Sequence, residues 1–409
     1  MYRAAWRRYI VGSQLKHAVS LPQMVPLELS FWLSSATLLF TLLVTIEILI
    51  GNRSVEALRD MPCVPDPFSQ KVSLIVAARN EQRNISSALQ SLLDLEYPNY
   101  ELIVVDDRSE DATGEILDAI AASTHRLNVI HIENLPDGWL GKNHALWVGS
   151  QHAVGNYLLF TDADIVMEPT VVTRAVAYLK RNNLDHLAVT PSMQMPTTFL
   201  GMFGVSFMVI FALFSRPWKA KDPKSRFHIG IGAFNMVRAE TYRQVGGHET
   251  IRLRPDDDIK LGKIIKQHGF RQSVAYAPEY LAVEWYSSII EAIRGLEKNT
   301  FSGNDYSILM VISGVASQIL FSIWPFAALF MTSGVTWYMN LAVILLSLIL
   351  YADCARFHHS RVWYAIGYPV ATLLFAVIMM RTMILNLVQG GIYWRGTFYS
   401  LKELKANKV

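Results

Sequence analysis

LLFTDADIVMEP, Leu158–Pro169, sets an apolar run directly ahead of two carboxylates, Asp162 and Asp164, one residue apart. The apolar part reads as a buried strand, and the acids stand at its end. Two carboxylates alternating along an extended backbone repel one another unless a cation or a bound donor lies between them. A hard divalent metal is therefore the first ligand to expect.

Upstream, VSLIVAA at Val72–Ala78 is a continuous β-branched run followed by Arg79, Asn80 and Glu81, as in a strand covered on both faces. Residues 84–93 carry apolar positions at helical spacing. A second strand, Tyr100–Val105, ends on Asp106 and Asp107; a helix is expected over 111–122 and a third strand over 128–132. Strands alternating with helices predict an α/β domain built on a largely parallel sheet. Ligands of such sheets bind beyond the carboxyl ends of the strands, where both acidic pairs lie. Downstream, Asp256, Asp257 and Asp258 open DDDIKLGKIIKQHGF, whose apolar spacing predicts a helix ending at Gly269. The helix dipole favours acids in its first turn. Capping uses one of them, so three in a row point to a carboxylate with chemistry to perform.

The rest of the chain is apolar. Of 409 residues 52% are hydrophobic and 17% charged, where a soluble domain carries roughly 25% charged. Residues 31–50 match a bilayer core, which takes about 20 residues, and they end in ILIGNRS without a small-residue cleavage site, as a retained anchor would. Three further apolar runs cover 308–331, 335–352 and 364–389. The expected organisation is a basic segment over 1–30, an anchor over 31–51, a catalytic domain over 70–303, a membrane region over 304–395 and a basic tail over 396–409. The clusters Arg3, Arg7, Arg8, Lys16 and Lys402, Lys405, Lys408 suit either anionic lipid headgroups or solvated termini. A net charge of +3 gives no reason to expect nucleic acid as a partner. Cys63 and Cys354 are far apart in sequence and one flanks an apolar run, so no disulfide framework is expected.

Taken in order, VVDDRSEDATG, FTDADIVMEP and PDDDIKLGKIIKQHG resemble the acidic stations of the inverting glycosyltransferases of family two, which have the GT-A fold. VAARNE at 76–81 is similar to the family's nucleotide-facing loop, GKNHALWVG at 141–149 to its lysine segment, and GAFNMVRAETYRQVGGHE at 232–249 to its acceptor-side segment. One anchor before the domain and several spans after it resemble the lipid-directed branch, which includes ceramide, hopanoid-associated, carotenoid and glycolipid glycosyltransferases. GIYWRGTFYSL near the end is also similar to the bacterial members. The Q-x-x-R-W motif that the family's cellulose- and hyaluronan-type synthases share with the ceramide enzyme is missing, and RGLEKNTFSG at 294–303 stands in its place.

The resemblance implies roles. Asp258 would be the general base with Asp257 beside it. Asp164, with Asp162, would hold Mg²⁺ or Mn²⁺, and Asp162 would also face the ribose or sugar. Ala78, Asn80, Glu81, Asp106, Asp107 and Lys142 would line the nucleotide-sugar donor, with a UDP-hexose the family's commonest case. Arg294 and Lys298, four apart on one helical face, are candidates to neutralise the diphosphate; an interfacial helix facing headgroups would use the same cations. Trp394 and Arg395 either close the site or mark the membrane surface. The implied partners are a nucleotide-sugar donor, a lipid acceptor and the bilayer. The implied location is a bacterial inner membrane with the catalytic domain cytoplasmic.

Other classes fit less well. The D-x-D of aspartyl-phosphate phosphohydrolases belongs near the start of its domain, and GWLGKN lacks the glycine spacing of a P-loop. Only Arg381 is charged inside a C-terminal apolar run, which gives a transporter little to work with. A processive polysaccharide synthase and a non-catalytic scaffold remain as alternatives. Thr198–Ser215, apolar and aromatic within the catalytic domain, reads either as a core helix or as a segment at the membrane face. A cytoplasmic domain places both basic termini outside, unless the first and last apolar segments do not fully cross.

Overall fold

The computed structural model describes residues 27–63 and 70–409, so the basic cluster Arg3, Arg7, Arg8 and Lys16 lies outside the described residues. β1 (Val72–Ala78), β2 (Tyr100–Asp107), β3 (Leu127–Ile132) and β4 (Tyr157–Asp162) run parallel in the order β3-β2-β1-β4. Their apolar runs are continuous because helices cover both faces, and β1 is buried at nearly every position. Beyond β4 come β5 (Val166–Met167), β6 (His186–Thr190), β7 (Ser192–Gln194), β8 (Asn235–Arg238), β9 (Gln272–Tyr276) and β10 (Leu281–Glu284). β8 lies antiparallel between β4 and β6, and β9 closes the edge of the seven-stranded sheet, while β5, β10 and β7 form a second sheet of three strands.

The strand order reverses between β1 and β4, the point at which open sheets of this kind bind ligands. The register aligns Ala78 with Asp106 and Ala77 with Asp162, so the acidic strand ends meet at this crevice. Both strands run further than their apolar residues indicate. β2 takes in Asp106 and Asp107, and β4 takes in Asp162, because backbone pairing continues past the last apolar side chain.

Five helices among the described residues are long and apolar enough to cross a membrane. The first, Leu27–Arg53, inverts the soluble pattern. Ser30, Ser34, Thr37, Thr41, Thr45 and Asn52 are buried, while Leu29, Trp32, Leu39, Leu43 and Ile50 are exposed. Lipid is as apolar as leucine, so small polar residues form the packed face and Asn340 donates to Ser34 Oγ at 2.7 Å. Its partner is the Gly334–Phe357 helix, and an Arg53–Asp353 ion pair ties their ends together.

The Thr198–Ser215 helix is a fifth apolar helix, inside the catalytic domain rather than in the anchor or the C-terminal region. Both of its ends lead into the main fold. β7 precedes it, and Ala220 just beyond it packs with Ala188 of β6 and Val274 of β9. A helix whose two ends enter the two sheets of one domain cannot cross a bilayer that excludes that domain. It lies instead as a layer between the sheet and the membrane helices, with Phe207 packed on Trp285 at 4.5 Å and Gly201 pressed against Tyr364.

The last long helix, Tyr368–Gln389, also returns to the catalytic domain. It is followed by a hairpin of β11 (Gly391–Trp394) and β12 (Thr397–Ser400), then a short helix, Leu401–Ala406, with a capping box at Ser400 and Glu403. Arg395 in the hairpin reaches Arg79 O, and Asn407 bonds to both Leu253 N and Thr250 O. A domain boundary at 395 therefore falls within the tip of this hairpin, and the basic tail packs on the catalytic domain.

Candidate active site

Lys142 is the electrostatic centre of the crevice. It opens the Gly141–His152 helix, and its Nζ lies 2.7 Å from Asp162 Oδ1 and 3.4 Å from Asp257 Oδ1. One ammonium thus joins the second acidic station to the third. Desolvation alone would push its pKa down, but the charges of Asp162, Asp257 and Asp258 outweigh it and hold Lys142 well above its ordinary value. In return, Lys142 holds the Asp162 carboxyl below the usual range against desolvation.

The three consecutive acids divide their work. Asp256 is buried and taken by structure, pairing through both oxygens with the Arg254 guanidinium at 3.1 Å, which also reaches Asp305. Asp257 faces Lys142, and burial pushes it up. Asp258 Oδ2 accepts from Gly232 N–H and its Oδ1 from Ile259 N–H, both at 2.8 Å. Among the described residues it has no cation within ion-pair distance. Burial and the neighbouring Asp257 charge push Asp258 up to about 7.

Gly232 lies between two stations. A Cβ there would stand 2.6 Å from Asp162 Oδ2, so any side chain would displace that carboxylate. Asp164, two residues further along the turn after β4, is pushed up to about 7 by burial and by the charges of Asp162 and Glu81. Among the described residues no side-chain partner neutralises it.

Asp107 closes the other wall. It pairs with Arg108 at 2.7 Å and lies 3.9 Å from Arg79, and the small cavity beside it is also lined by Lys142, Trp394, Arg395 and Tyr399. Gly141 allows that wall to form, since a Cβ there would run into the Asp107 carboxylate. Glu81 pairs with Arg395 at 3.2 Å; burial, which outweighs that pairing, pushes its pKa up. Lys298 sits 5.1 Å from the Trp394 ring centre, and desolvation together with the charges of Lys142 and Arg395 pushes it down.

Of the residues singled out in the sequence, Lys142, Asp162, Asp164, Asp257, Asp258, Glu81, Asp107 and Lys298 are thus gathered at one crevice. Ala78 contributes the buried end of β1. Asp106 turns the other way along the pleat, accepting from Ser109 N–H and meeting His131 Nδ1 at 3.0 Å. Asn80, with φ of 55°, accepts from Glu110 N–H and braces the loop rather than facing the cavity. Arg294 is exposed on the Ile289–Glu297 helix, whereas Lys298, the C-cap of that helix in helical conformation, is half-buried. Arg79, Arg108 and Tyr399 were not indicated by spacing. Arg108 directly follows the acidic end of β2, and Arg79 directly follows β1, which was the available signal.

Hard oxygen ligands suit Mg²⁺ or Mn²⁺, and Asp164, with Asp162 and Glu81 close enough to raise its pKa, offers a donor set of that chemistry. No group of three or more acids, histidines or cysteines stands ready to hold a metal among the described residues.

The family model described as glycosyl transferase family 2 matches residues 73–245, a span that includes the first two acidic stations and stops short of the third. The 4,4'-diaponeurosporenoate glycosyltransferase of Staphylococcus aureus (strain USA300) is 22% identical over 385 residues, covering 91% of this chain and 99% of its own. Its counterpart from strain MRSA252 aligns over the same lengths at the same identity. Among solved structures, mannosyltransferase PcManGT from Pyrobaculum calidifontis, in complex with GDP-Man and Mn²⁺, superposes with a TM-score of 0.52 at 17% identity, covering 88% of this chain and 99% of that one. The sheet order, the gathered strand-end acids and these likenesses agree: residues 73–245 match the glycosyl transferase family 2 model, and the fold is the GT-A fold.

Proposed function

We propose that the protein is an inverting glycosyltransferase that moves a sugar from a nucleotide donor, a UDP-hexose by the sequence reading, to a lipid acceptor at the membrane. The observation that carries this reading is Asp258: a carboxylate held by two backbone N–H groups, free of any ion pair among the described residues, beside a lysine that bridges the other two acids.

In this mechanism Asp258 takes the proton of the acceptor hydroxyl as its oxygen attacks the anomeric carbon from the face opposite the leaving group. The bond to the diphosphate breaks, and its electron pair leaves with the nucleoside diphosphate. Lys142 keeps Asp162 ionised and joins it to Asp257. Asp107 accepts from the nucleobase, with Arg79 and Arg108 holding its carboxylate in place. Asp164 and Asp162 would hold the divalent ion, which supplies Lewis-acid stabilisation of charge on the departing phosphate.

The lipid acceptor is supported by the named substrate of the Staphylococcus relatives and by three helices, Leu27–Arg53, the 308–331 run and Gly334–Phe357, that lead away from the catalytic domain with apolar faces outward. If those three cross and the other two lie alongside, the C-terminal tail stays on the side of the catalytic domain, which would be the cytoplasmic one for a cytosolic donor.

The test is release of nucleoside diphosphate from a panel of UDP- and GDP-sugars by purified protein in mixed membrane lipids, with and without Mn²⁺ or Mg²⁺. The expected result is metal-dependent release with a new glycolipid by mass spectrometry, and a loss of about 100-fold or more in Asp164→Ala. Absence of release with every donor, or full activity after chelation, would remove the reading or its metal.

A further inference from the structure

The β11–β12 hairpin turns on Arg395 and Gly396, with φ of 46° and 84°, between the paired Trp394 and Thr397. A two-residue turn with both positions at positive φ suits Asn-Gly or Gly-Gly, and an arginine there carries backbone strain that glycine would avoid. Its side chain accounts for the choice. Nη1 donates to Arg79 O at 3.1 Å, and Nη2 pairs with Glu81 Oε1 at 3.2 Å, across the mouth of the cavity that Asp107 and Lys142 line. Trp394, its neighbour, lies over Lys298.

Three cations thus reach one crevice from separate parts of the chain, and their counter-charges differ. Lys142 is satisfied by Asp162 and Asp257. Lys298 makes no ion pair among the described residues, and Arg395 has only a side-chain pairing that is 42% exposed. A pair of under-neutralised cations, one of them a guanidinium fork, calls for an anion with two adjacent charged groups.

We infer that the C-terminal hairpin is a working part of the donor site, in which Arg395 and Lys298, with Trp394 lying over Lys298, bind the diphosphate of the nucleotide donor. This rests on the glycosyltransferase reading above. Arg395 exchanges Glu81 for phosphate oxygens when the donor enters.

The test is calorimetric titration of the full chain in lipid nanodiscs at fixed Mn²⁺, with UDP and GDP against UMP and GMP. The wild type is expected to bind one diphosphate at least about tenfold more tightly than the matching monophosphate. Arg395→Gly, which suits the turn and keeps the hairpin, is expected to lose most of that preference, with monophosphate affinity within about twofold of wild type. Arg395→Lys restores part of it, and Lys298→Ala loses it as Arg395→Gly does. Diphosphate binding unchanged in Arg395→Gly, or an equal loss for both nucleotides, overturns the assignment. A wild type that binds neither nucleotide overturns the glycosyltransferase reading itself.

Discussion

Asp258→Asn is expected to lower sugar transfer by about 10³-fold while making the protein harder to unfold at pH 8. The activity loss follows from removing a general base, which contributes typically 10² to 10⁴. The stability gain follows from linkage. Burial and Asp257 push the Asp258 carboxyl up to about 7, while an unfolded aspartate titrates near 3.9. Between those values the folded form keeps a proton that the unfolded form has lost, so stability falls as pH rises through the window and stays low above it. Asparagine carries no such charge and still offers an oxygen to Gly232 N–H or Ile259 N–H. Thermal unfolding in detergent should show the variant's advantage largest at pH 8 and shrinking toward pH 4. The same value sets the wild-type rate profile: log kcat/KM should fall with unit slope below about pH 7, where the base is protonated. A variant with wild-type turnover would take the proton-accepting role from Asp258.

Lys142→Met should abolish transfer and destabilise the fold by about 3 kcal/mol at neutral pH, because removing one partner leaves two carboxylates facing each other without a counter-charge. The sign differs from the first case. Lys142 has its pKa raised by folding and Asp162 has its lowered, so their contribution is present above the ordinary carboxylate range and below the ordinary lysine range, about pH 4 to 10. Denaturant titration should therefore show a large deficit at pH 7 that narrows as pH approaches 4. Equal stability across this range would mean that the lysine bridges nothing of consequence.

Much of this was legible in the chain. Apolar runs ending on acids located β1, β2 and β4 to within two residues, because strands buried on both faces leave few polar positions to blur their ends. The acids' separate duties were not legible. Asp106 and Asp107 differ only in which side of the pleat they occupy, and Asp256 is claimed by Arg254, a residue whose burial no local pattern announces. Arg294 and Lys298 looked equivalent at helical spacing, but Arg294 is exposed while Lys298, the C-cap of the same helix, is half-buried beside Trp394. The hairpin's part was hidden for a different reason. Arg395 meets Glu81 across more than three hundred positions of sequence, and only the return of the last long helix brings them together. Composition marked Thr198–Ser215 as apolar, while its place beside the sheet depends on where both of its ends go.

That return also sets an order of assembly. Chains grow from the amino end, so every strand of the main sheet has been made by residue 276, and the hairpin begins only at 391. At ordinary elongation rates the interval is on the order of ten seconds. During it the acids can be in place while the wall bearing Trp394 and Arg395 does not yet exist. The crevice is finished only after the helices between have been inserted and the tail has docked Asn407 against Leu253. A nascent chain stalled in the membrane would carry its carboxylates and remain open at one side, which makes completion of the pocket a report that insertion has finished.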